Sequence, residues 1–242
     1  GPGTFTVCKV GNPGGSTTVS YMVVAGGAGG GRGTPTPAAG GGGGGGAGGF
    51  RESKAASDSY TASPLNATSG PFYNLPVSVQ AYPITVGAGG AGSGSCNYGT
   101  SGCNSVFSTI TAAGGGGGRM AGASTLAAGN PGGSGGGAGA GNPSSGGAPV
   151  SGGTGNTPPV SPPQGQDGGG ITYNGWRTGG AGGGAGSAGN TNVNSQTEAI
   201  GGTGVGTEIN TSSCVGTPGP SGPLRYFAGG GGAGSGISNE AR

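Results

Sequence analysis

Short β-prone runs alternate along this chain with long tracts that carry almost no side chains. Val19-Ser20-Tyr21-Met22-Val23-Val24 leads into Ala25-Gly26, and Tyr82-Pro83-Ile84-Thr85-Val86 leads into Gly87. Ser105-Val106-Phe107-Ser108-Thr109-Ile110-Thr111 leads into Ala112-Ala113-Gly114 in the same way. All three runs have the β-branched and aromatic residues of strands. Ile171-Thr172-Tyr173 and Leu224-Arg225-Tyr226-Phe227 repeat the pattern less cleanly. No stretch sustains a 3.6-residue apolar period, and glycine and proline are the poorest helix formers, so helix is not expected. The few large apolar residues are expected to gather at one end of the glycine tracts, as a small β-rich cap that supplies the molecule's side-chain core.

Most of the glycines fall into roughly ten tracts: 26–33, 40–49, 87–95, 114–118, 129–141, 146–155, 165–170, 179–190, 201–206 and 229–236. At the polyproline II rise of about 3.1 Å per residue, each would span roughly 15–40 Å. Composition changes what such tracts can be. Glycine accounts for 72 of 242 residues, against a usual share of roughly 7%. Hydrophobic residues make up 29% and charged residues 6%. Large apolar side chains are too few to offset the ordering entropy of a glycine-rich chain. Collagen needs glycine at every third position, and the unbroken run Gly40 to Gly46 excludes it. Charges are too sparse to solvate a disordered chain. What remains is a fold whose interior is backbone: an irregular, all-β-like bundle of packed polyglycine II helices with a few short β-strands, long loops and essentially no α-helix. One domain over residues 1–242 is expected. The opening Gly1-Pro2-Gly3, without Met, is expected to mark a piece of a longer chain.

A formal charge of +2, with no basic stripe, gives no reason to expect nucleic acid as a partner. No apolar stretch approaches the roughly 20 residues of a membrane-spanning helix, so membrane insertion is not expected. Enzymatic chemistry is tested by inventory. The chain has no histidine, hence no Ser-His or Cys-His pairing and no imidazole metal ligand. Its carboxylates (Glu52, Asp58, Asp167, Glu198, Glu208 and Glu240) are scattered without a paired signature. Formal Gly-x-Gly-x-x-Gly matches are unavoidable at this glycine content, and no Lys-Ser/Thr follows a tract. No enzyme activity, cofactor or metal is therefore expected.

The cysteines are Cys8, Cys96, Cys103 and Cys214. Cys96 and Cys103 bracket a short flexible loop that a disulfide would close, and Cys8 with Cys214 is a second candidate pair that spacing does not settle. Disulfides would place the protein outside a reducing cytosol; free thiols are the alternative. Tyr60, Phe72, Tyr73, Tyr98, Tyr173, Trp176 and Arg177 are the candidate receptor-binding residues, because aromatics and arginine dominate binding hot spots. The alternative role, packing in the cap, suits Phe72, Phe107 and Phe227 best. Loops 50–80, 95–104 and 171–178 are the expected contact regions.

Tyr21-Met22-Val23-Val24-Ala25-Gly26-Gly27-Ala28-Gly29-Gly30-Gly31 resembles the glycine-rich domain of bacteriophage tail-fibre and related virion proteins. Gly1-Pro2-Gly3-Thr4-Phe5-Thr6-Val7, Ala47-Gly48-Gly49-Phe50-Arg51, Tyr82 to Gly90, Asn104-Ser105-Val106-Phe107 and the proline-rich stretch Gly155 to Gly165 add to the likeness. The resemblance implies a virion fibre or adhesin module, on the virion surface or extracellular, presenting loops to a bacterial surface glycan or outer-membrane protein. Its further partners would be other fibre proteins or copies of itself. The ending Gly236-Ile237-Ser238-Asn239-Glu240-Ala241-Arg242 lacks the closing apolar strand common in that family, which implies truncation. A self-assembling extracellular filament or virion decoration protein is the first alternative. An ice-binding protein is the second, although no sustained array of threonine and alanine is visible.

Overall fold

The computed structural model describes residues 1–11, 16–33, 40–94, 98–122, 127–141, 148–172, 178–192, 199–220 and 222–235. Among them there is no helix. The glycine tracts hydrogen-bond to one another with a repeat of three residues, the turn of a polyglycine II helix. Residues 40–49 show why. Gly43, Gly46 and Gly49 donate to the carbonyls of Arg119, Gly116 and Ala113, while Gly44 and Ala47 donate to Gly180 and Gly183. Their own carbonyls serve three further segments: Gly41, Gly44 and Ala47 accept from Ala140, Gly137 and Ser134, Gly42 and Gly45 from Gly234 and Gly231, and Gly43, Gly46 and Gly49 from Gly31, Ala28 and Ala25. One tract thus bonds to five neighbours, some parallel and some antiparallel, and every residue from 40 to 49 is buried. Lattice bonds of this kind satisfy buried peptide groups that would otherwise be costly.

Glycine is required by how closely these backbones approach. A Cβ built on Gly43 would overlap the carbonyl of Gly137, and one on Gly116 would overlap that of Asn130.

Strands grow out of one end of this lattice. β3 (Tyr21–Val24) pairs antiparallel with β4 (Phe50–Ser53), with Met22 opposite Glu52 and Val23 opposite Arg51. The tracts that follow β3 and precede β4 continue the same pairing, from Ala25–Gly49 to Gly31–Gly43. β1 (Pro2–Thr6), β6 (Ala81–Thr85), β7 (Ser105–Phe107) and β8 (Ile110–Ala112) form a sheet in that order, with β1 on its edge. β2 (Thr18–Val19) pairs with β5 (Leu75–Pro76). β9 (Val205–Thr207), β10 (Thr217–Pro218) and β11 (Arg225–Phe227) form a sheet in the order β10-β11-β9.

Side-chain alternation along the β3–β4 ribbon creates two apolar clusters. One face joins Tyr21, Val23, Ala25, Leu75, Ile110 and Ala112, with Phe72 and Phe107 against them. The other joins Phe50, Ala185 and Val205, with Met22, Val24, Leu65 and Phe227. These clusters are the expected cap, but they are not the whole of the side-chain core. Ala138, Ala140 and Ile171, with Val150, form a third cluster. Ala140 bonds to Gly41, at the end of tract 40–49 away from β4, so this cluster closes the distal end. Ile171, expected to open a strand, instead makes isolated bridges to Val150 and Asn192; Tyr173 lies outside the described residues.

The proline-rich stretch 156–164 is folded around Asn156. The Asn156 Oδ1 accepts from the amides of Val160 and Gln164, and its Nδ2 donates to the Val160 carbonyl. This presents Gln164, 1% exposed, to the junction between lattice and strands. Its carbonyl accepts from Phe50 N, its Oε1 accepts from Ala113 N at 2.8 Å, and its Nε2 donates to the Pro158 carbonyl. Gln164 therefore caps two tract ends at once.

Candidate functional site

Of the sequence-selected aromatic residues that are described, Tyr60, Phe72 and Tyr73 lie at the strand end of the lattice and Tyr98 towards the other. At the strand end, loop 54–74 is tied down by β4. Glu52 faces the second cluster and is 1% exposed; its carboxylate accepts from the Ser63 amide at 2.9 Å and the Thr207 hydroxyl at 2.6 Å. Lys54 donates from its amide to Asn66 Oδ1 and from Nζ to the Tyr60 carbonyl, with its ammonium 5.5 Å from the Tyr60 ring centre. Ser20 Oγ donates to Asp58 and accepts from the Ala55 amide. Glu208, through its Oε2, accepts from the Thr61 amide at 2.9 Å, and that bond lowers its pKa.

Tyr60 is half-buried within this polar network. Its hydroxyl is sealed beside Ser20 and Glu52 without an aligned hydrogen bond to either. Burial first, and then the Glu52 charge, push the phenol's pKa up, so Tyr60 is held neutral. Phe72 packs on the first cluster, under the Arg51 guanidinium at 4.2 Å, and its carbonyl accepts from the Tyr21 hydroxyl at 2.6 Å. Tyr73 is half-buried, in a turn closed by its amide to the Gly70 carbonyl. These three residues are engaged in holding loop 54–74 to the strands, and only part of each faces solvent.

Tyr98 is different. Its side chain is 42% exposed, and the Arg119 guanidinium stacks 3.6 Å from its ring centre. Both residues sit on ordered lattice: Gly99 donates to Gly118, and the Arg119 carbonyl accepts from Gly43. Arg32 is on the adjoining tract, its carbonyl accepting from Ala121. A part-exposed aromatic ring braced by a cation can stack on a flat ligand through its exposed surface and present positive charge beside it. Tyr173, Trp176 and Arg177 lie outside the described residues. The residues flanking them, Thr172 and Thr178, belong to this same distal end, since Thr172 donates to Asn192 and Thr178 bridges Ser235.

Sequence reasoning missed a third region. Phe5, Val79 and Val86 are exposed large hydrophobic residues along the β1–β6 pair. Phe5 meets Phe107 edge-on at 5.9 Å and Tyr82 at 6.3 Å, and Phe107 continues the array to Tyr21. The alternation in Gly3-Thr4-Phe5-Thr6-Val7 was the signal that would have marked β1 as a strand.

The expected disulfides are corrected. Cys8, Cys103 and Cys214 are free and exposed; Cys96 lies outside the described residues. Cys8 follows β1 in the four-stranded sheet, whereas Cys214 lies in the turn before β10 in the other sheet, so the fold does not bring these two together. Cys103 takes part through its backbone instead, donating to Ala88 and accepting from Gly26. Among the described residues, no group of three or more Cys, Asp or Glu side chains could hold a metal ion, and no helix is long and apolar enough to cross a membrane. The family model described as a glycine-rich domain matches residues 2–242. No curated protein and no solved structure matches the chain.

Proposed function

The chain belongs to the glycine-rich domain family, and on that premise we propose that it is a structural and adhesive module of a virion fibre, with the distal end of its lattice as the contact surface for a bacterial cell-surface glycan or outer-membrane protein. The supporting observation is the Tyr98–Arg119 stack, an exposed aromatic ring braced from behind on backbone-bonded tracts. A rigid support limits the entropy lost on binding, and multiple copies on one particle would raise avidity. The test is binding of the purified chain to bacterial envelope preparations. Tyr98→Ala combined with Arg119→Ala should weaken binding at least tenfold without shifting thermal unfolding, whereas Tyr73→Ala at the strand end should leave binding unchanged. Equal binding by all three proteins would sink the reading. A second reading, a self-assembling filament or decoration subunit, is favoured by one specific feature, the open edge of β1.

A further inference from the structure

Among the described residues, nothing covers the open edge of β1. All five of its residues, Pro2–Thr6, are exposed, and β6 is the one described strand that pairs with it. The hydrogen bonds determine which backbone groups remain open. Gly1 and Val86 exchange both of their bonds, and Val7 donates to Gln80. With Gly3 opposite Ile84 and Phe5 opposite Tyr82, the odd-numbered residues of β1 bond inward to β6. Antiparallel pairing alternates, so the N–H and C=O groups of Thr4 and Thr6 and the carbonyl of Pro2 face out of the sheet. Natural edges are blunted by lysine, internal proline, bulges or covering loops, because open edges recruit other strands. β1 has no charged residue, and its proline is at its first position.

We propose that β1 pairs antiparallel with β1 of a second copy of this chain, about a two-fold axis through Phe5. This register sets Thr4 opposite Thr6 of the other copy, and Thr6 opposite its Thr4. Both outward-facing residues then exchange both of their bonds. A register centred on Thr4 would set Pro2 opposite Thr6, losing one bond because proline has no N–H. Centring on Phe5 also makes the two Phe5 rings a non-hydrogen-bonded pair, the closer kind of cross-strand neighbour. Phe5 is 38% exposed in one copy and already packs on Phe107 and Tyr82, so the pairing extends one aromatic array across both copies. Charge does not oppose self-recognition along the strand itself, since Pro2–Thr6 carry no charged side chain. The product is one sheet running β8-β7-β6-β1 through the axis and back.

The test is the mass of the chain in solution across a concentration series, with two edge variants. The wild-type mass should rise twofold with concentration. Thr4→Pro removes an outward N–H that β6 does not use, and Thr6→Lys places a charge on the edge. Each should hold the mass at the monomer value with circular dichroism unchanged. Register is checked in a background with Cys8, Cys96, Cys103 and Cys214 all replaced by serine: Phe5→Cys should form an intermolecular disulfide on mild oxidation, and Gly3→Cys should not. A wild-type chain monomeric at every concentration, a dimer that survives both edge variants, or equal cross-linking through Gly3→Cys and Phe5→Cys would each overturn the proposal. None of these outcomes bears on envelope binding through Tyr98, which lies on the distal end.

Discussion

The Arg51 guanidinium lies over the Phe72 ring, with both Nη atoms buried and without hydrogen bonds, on a side chain only 3% exposed. Burial lowers its pKa, with Tyr21 opposing weakly. A buried charge without full hydrogen bonding costs more than its stacking returns. Arg51→Met keeps most of the contact area on Phe72 and removes the charge, so it should raise stability by about 1–3 kcal/mol, read as a higher denaturant midpoint at unchanged slope. Glu52, its neighbour in sequence, faces the opposite side of the ribbon and behaves oppositely. Glu52→Ala would leave the buried Ser63 amide and Thr207 hydroxyl without their shared acceptor, and should destabilise. The two buried phenols set the alkaline limit. Burial pushes the pKa of Tyr21 up to about 12, against about 10 in an unfolded chain, and Tyr60 is shifted the same way. The native state retains protons that the unfolded state releases, so the stabilisation is complete below pH 10 and declines as the pH climbs towards 12. Denaturation midpoints across that window should fall, and Tyr21→Phe should flatten the fall.

At the scale of the tracts, position within the lattice decides what a methyl group does. Gly43→Ala drives a Cβ into the Gly137 carbonyl at the centre of the bundle and should cost about 3 kcal/mol or more. Gly92→Ala meets nothing within 4 Å and lies at the exposed rim, where it should be neutral or stabilise by up to about 1 kcal/mol through the unfolded chain. Equal effects of the two substitutions, measured by chemical denaturation, would show that close backbone packing is not what selects glycine. The same lattice explains what could be read from the sequence. The tracts were legible because glycine at this density admits few alternatives, and the strands at Tyr21–Val24, Ala81–Thr85 and Ser105–Phe107 were legible from their β-branched and aromatic residues. The pairing order of the tracts was not, since glycine carries no side-chain pattern from which neighbours could be recognised. β4 was hidden by Arg51 and Glu52, whose charges suggest a solvated loop when they in fact face opposite buried sides. Of the candidate site, Tyr98 was legible as an aromatic residue in a polar loop. Its brace was not, because Arg119 is distant in sequence and is brought alongside only by the bond from Gly99 to Gly118.

For the whole molecule, the interior is mostly peptide group, and this has a thermodynamic signature. Unfolding an ordinary domain raises the heat capacity by about 12–15 cal/mol/K per residue, because exposed apolar surface adds about 0.45 and exposed polar surface subtracts about 0.26 cal/K/mol/Å². Here the apolar contribution comes from three small clusters, while tracts such as 40–49 expose buried N–H and C=O groups when they come apart. The heat-capacity increment per residue should therefore fall clearly below the ordinary range. A small increment flattens the stability curve, so the lattice should lose little stability on cooling, where side-chain cores weaken. Scanning calorimetry at several pH values below 10, which varies the unfolding temperature while both phenols stay protonated, gives the increment as the slope of enthalpy against temperature. A slope in the ordinary range would mean that apolar burial dominates after all, and that the glycine tracts are packed against side chains rather than against each other. A shallow slope would identify the backbone lattice, rather than apolar burial, as the main element that holds the molecule together, which is the rigid support that the proposed contact function calls for.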